Sequence, residues 1–323
     1  MSDSVKVAFR ATEPQELGRV VVLMGGRSAE REISLQSGGA VLQALLRLGV
    51  DATGLDVRQD VIRDLAAGGF ERAFIALHGK GGEDGVIQGA LELLGMPYTG
   101  SGVLGAAVSM DKLRTKQMWR GSGLSTPPWV VLRSPADFPV AISEVGLPLI
   151  VKPAAEGSSL GITRVEAEGE LPRAWEEACR YGRDVFAERW ITGAEYTAAL
   201  LGDEALPLIR VETPRAFYDY DAKYRATDTR FHCPCGLDAE TEAELRSVAR
   251  QAFEAVGCQG WGRVDLLRDG NGEAWLIEVN SVPGMTDHSL VPMAARAAGI
   301  EFDELVWRIL LTSTLRREPS GRD

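Results

Sequence analysis

Cysteine is scarce in this 323-residue chain, and its four copies (Cys179, Cys233, Cys235 and Cys258) follow no framework spacing. That excludes a disulfide-stapled secreted domain and fits a reducing cytoplasm. His232-Cys233-Pro234-Cys235 has no second ligand pair at zinc-site spacing, so it reads as a structural loop. Positive charge is also short. Thirty-five Lys and Arg against 46 Asp and Glu leave a net −11, which argues against a nucleic-acid or polyanion binder as a whole. Long apolar runs are absent: no segment reaches the roughly 20 residues of a membrane helix, and residues 1–18 lack a signal core. A soluble cytosolic protein is expected, with 1–18 a loose extension and 319–323 a fraying tail. What is present is ordinary for a globular chain, 45% hydrophobic and 25% charged, and the length calls for two or three domains.

The richest stretch is 260–290, where two apolar-rich runs, 261–267 and 274–280, flank Asp269-Gly270-Asn271-Gly272. Asn-Gly is a strong two-residue hairpin signal, because both residues tolerate positive φ. With Asn271-Gly272 at the centre, Asp265 faces Glu278 and Arg263 faces Asn280 on one face of the hairpin. Facing carboxylates repel unless a cation or proton lies between them. Two acids and an amide oxygen suit a hard cation such as Mg²⁺, which leaves room for phosphates. A solvated hairpin face is the plain alternative; Arg263 and the rigid loop Pro283-Gly284-Met285-Thr286 favour a magnesium–phosphate site.

Upstream, 19–24 (RVVVLM) reads as a buried parallel strand stopping at Gly25-Gly26, and 33–48 carries helical spacing. Strand, glycine turn and helix start make an anion or small-ligand site, where Glu30 is either a helix-dipole complement or a ligand for a substrate ammonium. A second strand, 72–77, ends in the glycine-dense loop 78–85; His78 there is either structural or a site lining. A helix at 86–94 and a short strand at 97–99 follow. Gly100–Gly105 matches the dinucleotide fingerprint by letter, but the preceding strand is short and no acid ends a second strand at the right distance. The match is read as chance, and Lys112, at a helix start, as a surface lysine by default.

Pro127-Pro128 marks a break. Lys152 ends the strand 149–152, where a lysine wants an anionic partner. Loop 154–161 (AAEGSSLG) is small and flexible enough to be a lid over phosphates. Strands are expected at 162–165, 184–190, 196–201 and 205–210, with a tyrosine-rich loop at 218–224 and helices at 239–256 and 301–315.

The spaced motifs, taken together, resemble the D-alanine–D-alanine ligases of the ATP-grasp superfamily. They are GGRSAEREISLQSG (25–38), ALHGKGGEDGVIQG (76–89), YTGSGV and SMDKLRTK (98–116), IVKPAAEGSSLGI (150–162), FYDYDAKY (217–224), GWGRVDLL (260–267) and IEVNSVPGMTDHSLVPMAARAAG (277–299). The resemblance implies a mixed α/β (α+β) chain of three-domain ATP-grasp architecture with a Rossmann-like N-terminal α/β domain. It divides as 19–108 (first D-alanine site, dimer contact), 109–190 (central grasp domain with lid 154–161) and 191–318 (C-terminal grasp domain with the metal hairpin). It implies ATP and two Mg²⁺ or Mn²⁺ as cofactors, two D-alanine sites and a homodimer, with no nucleic-acid or membrane partner.

By similarity Lys112 and Lys152 contact phosphates, Glu188, Arg189, Trp190 and Ile191 line the adenine, and Glu195 holds the ribose. Phe217 and Leu267 join the nucleotide site, and Lys223 reaches the γ-phosphate. Asp265, Glu278 and Asn280 hold the metals. Glu30 anchors the first ammonium and links to Ser158 and Tyr224; His78 borders that site. Ser289 and the Leu290 amide hold the second carboxylate, while Arg263 and the Gly284 amide face the tetrahedral oxyanion. The implied reaction is ADP-forming ligation of two D-alanines through an acyl phosphate, for peptidoglycan precursors. The alternatives are a D-alanine–D-serine or D-lactate ligase, with intact Tyr224 against D-lactate; a regulatory nucleotide binder, against which Arg263, Asp265, Glu278 and Asn280 are all intact; and a Rossmann oxidoreductase resting on Gly100–Gly105 alone. Ala154-Ala155 departs from the polar residues of relatives and softens the expected lid contacts.

Overall fold

A computed structural model describes residues 13–157, 160–213 and 229–314. Their strands fall into three sheets. The first is parallel, in the order β2-β1-β3, from β1 (Val20–Gly25), β2 (Ala52–Val57) and β3 (Arg72–Ile75). The apolar run of β1 is central, which is why it carries no alternation. Helix α1 (Arg31–Arg47) packs on it, and α2 (Val61–Ala67) and α3 (Val86–Leu93) connect the remaining elements. Residues 97–99 give only one bridge, Ala73 to Tyr98. Strand β2 had no sequence signal: it is only half-buried along its length, and Gly54 admits the Met24 side chain where a Cβ would stand 2.8 Å from Cε.

The second sheet is antiparallel, β4-β7-β5-β6, from β4 (Trp129–Leu132), β5 (Leu149–Pro153), β6 (Thr163–Val165) and β7 (Val185–Arg189). Helices α4 (Val103–Met110) and α5 (Lys112–Gly121) lead into it, and α6 (Phe138–Val145) and α7 (Leu171–Cys179) cover it. The third sheet runs β11-β10-β8-β12-β13 with β9 beside β8. Its strands are β8 (Gly193–Leu201), β9 (Glu204–Ala205), β10 (Ile209–Glu212), β11 (Arg230–His232), β12 (Trp261–Asp269) and β13 (Ala274–Asn280). Helices α8 (Ala239–Ala255), α9 (Leu290–Ala297) and α10 (Phe302–Thr312) complete the described chain.

One apolar core joins the parallel sheet to the end of the chain: Val22 and Phe74 share a cluster with Trp261, Val291 and Ile309. Leu17 belongs to the same core, at 2% exposure, in a short 3-10 helix over Pro14–Leu17. The loose extension expected for 1–18 therefore fails at its described end. Two glycines of the chance fingerprint have structural reasons: a Cβ on Gly105 would meet the Gly257 carbonyl at 2.3 Å, and Gly100 has φ +85°.

The hairpin differs from expectation in its turn. Its loop has three residues, closed by Asp269 N–H donating to Glu273 O at 3.0 Å, with Gly272 at φ +89°. The Asp269 carboxylate accepts the Asn271 and Glu273 amides and the Trp275 indole, replacing the two-residue turn. Pairs near the loop, such as Leu267–Trp275, are offset by one from the two-residue register. A bulge between Asp265 and Leu266, with Ile277 as the extra residue on β13, removes the offset. Beyond it Asp265 faces Glu278 and Arg263 faces Asn280, as expected.

Candidate active site

A cavity of about 430 Å³ opens between the second and third sheets. It is lined by Lys112, Lys152, Glu188, Arg189, Trp190, Ile191, Glu195, Asp265, Leu267 and Glu278, gathering the described members of the expected nucleotide set. A second cavity, about 260 Å³, lies against the parallel sheet and is lined by Glu30, His78, Arg263, Asn280, Gly284, Ser289 and Leu290 among others. Lys112 and Glu278 line both. Ser158, Phe217, Lys223 and Tyr224 lie outside the described residues.

The wall between the cavities is the hairpin face. Arg263 grips Asp265 with Nε at 2.8 Å and Nη2 at 2.7 Å. Thr197 Oγ1, opposite on β8, donates to Asp265 Oδ1 at 2.5 Å, and Asn280 Nδ2 donates to Oδ2 at 3.1 Å. Glu278 lies 3.3 Å from Lys112 Nζ. Each carboxylate thus has a side-chain cation beside it, the physical answer to two facing acids. Lys112 is 8% exposed rather than a surface lysine, and its Nζ also donates to Glu156 O in loop 154–161 at 2.7 Å. Among the described residues no cluster of three His, Cys, Asp or Glu forms a metal-type group. The candidate donor set is Asp265, Glu278 and the Asn280 amide, all oxygen ligands at neighbouring register positions, which fits a hard divalent cation.

At the floor of the larger cavity Glu188 is buried between two lysines, Lys152 Nζ and Lys116 Nζ, each at 2.5 Å. Burial opposes its ionisation, and the two ammonium charges outweigh that, holding its carboxyl below the usual range. Glu188 is therefore an ion-pair centre of the cavity. Lys116, in the motif SMDKLRTK, stands one helical turn from Lys112, and that spacing is the only sequence signal it carries.

In the smaller cavity Glu30 sits between two glycine turns. A Cβ on Gly79 would meet its Oε2 at 2.5 Å, and one on Gly157 at 3.1 Å. His78 is both structural and lining. Its Nδ1–H donates to Val282 O at 2.8 Å, so a neutral ring accepts at Nε2 from Ser37 Oγ, 3.2 Å away. Burial holds this imidazole below its usual pKa. Ser37 in turn accepts the Met285 amide, so the histidine ties the parallel sheet to loop 282–285. Glu83 was also missed. Its carboxyl accepts the Gly79 amide at 2.6 Å and the Val282 amide at 3.2 Å. Burial, helped by the Glu30 charge, pushes it up to about 8. Ser289 precedes α9 and pairs with Thr286 Oγ1 at 2.9 Å, and a Cβ on Gly284 would stand 3.0 Å from Ser289 Oγ. His232 of the cysteine-bearing turn pairs with Glu212, which lines the larger cavity.

Two antiparallel sheets closing on a cavity floored by lysines, beside a parallel α/β sheet, define an ATP-grasp enzyme. The D-ala D-ala ligase C-terminus family matches residues 118–311, and the D-ala D-ala ligase N-terminus family matches 57–101. A D-alanine–D-alanine ligase of Alkalilimnicola ehrlichii is 62% identical over 95% of this chain and 97% of its own. One of Methylococcus capsulatus is 61% identical over 94% and 98%. A solved D-alanine–D-alanine ligase of Bacillus anthracis superposes with TM-score 0.84 at 34% identity, covering 94% of this chain and 99% of that one; a D-alanine–D-alanine ligase of that organism complexed with ATP gives 0.82 at 30% identity, with the same coverage. The chain belongs to the D-alanine–D-alanine ligase family.

Proposed function

We propose that this protein joins two D-alanines to D-alanyl-D-alanine at the expense of ATP, giving ADP and phosphate, as a cytoplasmic step in peptidoglycan precursor synthesis. The observation that carries the reading is the meeting of the two cavities at Lys112 and Glu278, which supports transfer of a nucleotide's terminal phosphate to a carboxylate held on the other side. The curated relatives at about 60% identity support D-alanine as second substrate; the VanG D-Ala:D-Ser ligase of Enterococcus faecalis is 28% identical, with TM-score 0.79 and 91% and 99% coverage.

A carboxylate is a poor electrophile, and phosphorylation converts it to an acyl phosphate that an amine can attack. In this reading Lys112 and Lys152 hold the polyphosphate, with Glu188, Arg189, Trp190, Ile191 and Leu267 around the adenine and Glu195 on the ribose. Lys223 and Phe217, outside the described residues, take the γ-phosphate and adenine roles only by the motif FYDYDAKY. Asp265, Glu278 and Asn280 would hold Mg²⁺ or Mn²⁺, which offsets phosphate charge when bound. Glu30 takes the first ammonium, with His78 fixing the loops around it. Ser289 and the Leu290 amide, at the start of α9, take the second carboxylate. Arg263 and the Gly284 amide face the oxyanion. Loop 154–161 is the lid that keeps water from the acyl phosphate; its Glu156 already bonds Lys112.

The strands support domains at 19–108, 109–190 and 191–318, since each sheet lies wholly within one of these spans. Exposed Val86 and Leu93 on α3 and Leu104 on α4 support a homodimer through the first. The test is ATP-dependent phosphate release with D-alanine beside L-alanine, D-serine and D-lactate, with products identified by mass. D-alanyl-D-alanine from D-alanine is expected, and ATP binding without ligation of any of them would overturn the reading.

A further inference from the structure

The charged floor of the nucleotide cavity extends one side chain deeper than its lining. Lys152 and Glu188 face the cavity, whereas Lys116 has no exposed surface and stands behind them. Its ammonium reaches Glu188 Oε2 at 2.5 Å, donates to Thr126 Oγ1 at 2.6 Å and lies 5.2 Å from the centre of the Trp129 ring. Thr126 Oγ1 donates onward to Leu276 O at 2.9 Å, and Leu276 N–H donates to Ser125 O at 3.0 Å. These bonds fasten residues 125–126 along β13, the edge strand that carries Glu278 two residues later. One carboxylate is therefore shared by two buried ammonium groups, leaving an unbalanced positive charge. Such an imbalance is costly in a buried setting unless an anion arrives to meet it.

We propose that Lys116 is a positioning residue for the nucleotide. It takes half of the Glu188 carboxylate, so that the charge of Lys152 stays available to the polyphosphate, and it ties this floor to the metal hairpin. The inference rests on the ATP reading of the cavity. If Glu188 were served by Lys152 alone, the pair would be neutral and Lys152 would be held to the floor. With Lys116 present, the trio carries a net positive charge, and that charge faces the place where the phosphates lie.

The test is calorimetric titration of the full-length protein with ATP and, separately, with adenosine, at fixed Mg²⁺. Lys116→Met is expected to weaken ATP about tenfold, from one charge lost near a polyanion, and to leave adenosine within about twofold because adenosine has no phosphate. Lys116→Met with Glu188→Gln returns the trio to its original net charge, so ATP affinity should recover towards wild type. Unchanged ATP affinity in Lys116→Met overturns the proposal. An equal loss of ATP and adenosine overturns it too, since that is a pocket deformed rather than a charge removed. Wild-type protein that binds no ATP would instead overturn the nucleotide reading beneath it.

Should Lys116→Met fail to fold, the wild type carries the test through pH. Burial pushes the Lys116 ammonium down to about 8 against the pull of Glu188. The groups facing it are Glu188 from β7, Lys152 from β5, Trp129 from β4 and Thr126. ATP affinity, and not adenosine affinity, should fall between pH 7 and 9. A flat profile, or an equal fall for adenosine, overturns the proposal.

Discussion

Replacing Arg263 by alanine tests the hairpin face in both its electrostatic and its chemical capacity. In the folded chain Asp265 is 7% exposed and accepts four donors, two of them from the Arg263 guanidinium. Thr197 and Asn280 remain in the variant, but both are neutral, so a buried carboxylate is left without its cation. Breaking such a pair costs about 3–5 kcal/mol. The lower end applies here, because Asp265 borders a cavity that admits water. At 2–4 °C per kcal/mol for a chain approaching this size, the melting temperature should fall by roughly 6–12 °C. A divalent cation on Asp265 would restore the missing charge, so the gap should narrow with ADP and Mg²⁺. Turnover is a separate loss: removing an oxyanion donor lowers kcat by about 10²–10³-fold, and ATP binding should persist. Adding Asp265→Asn to Arg263→Ala should recover stability without recovering turnover. Thermal unfolding with and without Mg-ADP, beside kcat for dipeptide formation, gives both answers. An Arg263→Ala protein with unchanged melting and unchanged kcat would refute the reasoning.

Glu83→Gln probes the half-buried acid that lines the smaller cavity with Glu30. Its folded pKa is raised from 4.5 to about 8, so the folded chain keeps a proton that the unfolded chain releases. That preference favours the fold fully below pH 4.5 and is lost as pH rises towards 8. The variant should therefore gain stability over wild type as denaturant titrations move from pH 4 to pH 8, and a constant difference across that range would contradict the shift. Gly157→Ala places a Cβ 3.1 Å from Glu30 Oε2. It should raise KM for D-alanine several-fold with little change in KM for ATP; equal effects on both would show that the lid, rather than Glu30, had been disturbed.

Much of this site could be read from local sequence, and the parts that could not share a cause. Strand-end and loop signals marked Glu30, His78, Lys152 and the facing acids, because each depends on neighbours a few residues away. Thr197 could not be found, since its contact with Asp265 depends on β8 pairing with β12 across 68 residues. Lys116 and Glu83 were likewise hidden: a lysine and a glutamate in polar motifs show nothing of burial until Glu188 and Val282 arrive from elsewhere in the chain. The hairpin shows how a correct pairing can come from an incorrect turn. The Asp269 side chain closes a three-residue loop, and the bulge at Ile277 restores the register that a two-residue loop would have set. Residue pattern alone distinguishes neither.

The most direct measurement follows oxygen from one cavity to the other. D-Alanine labelled with ¹⁸O in its carboxylate is supplied with ATP and Mg²⁺, and the phosphate released is examined by mass. Phosphoryl transfer to a carboxylate at the Lys112–Glu278 junction predicts one labelled oxygen in phosphate for each D-alanyl-D-alanine formed. Dipeptide with unlabelled phosphate would contradict the acyl-phosphate route, and labelled substrate left unjoined despite ATP binding would contradict the account as a whole.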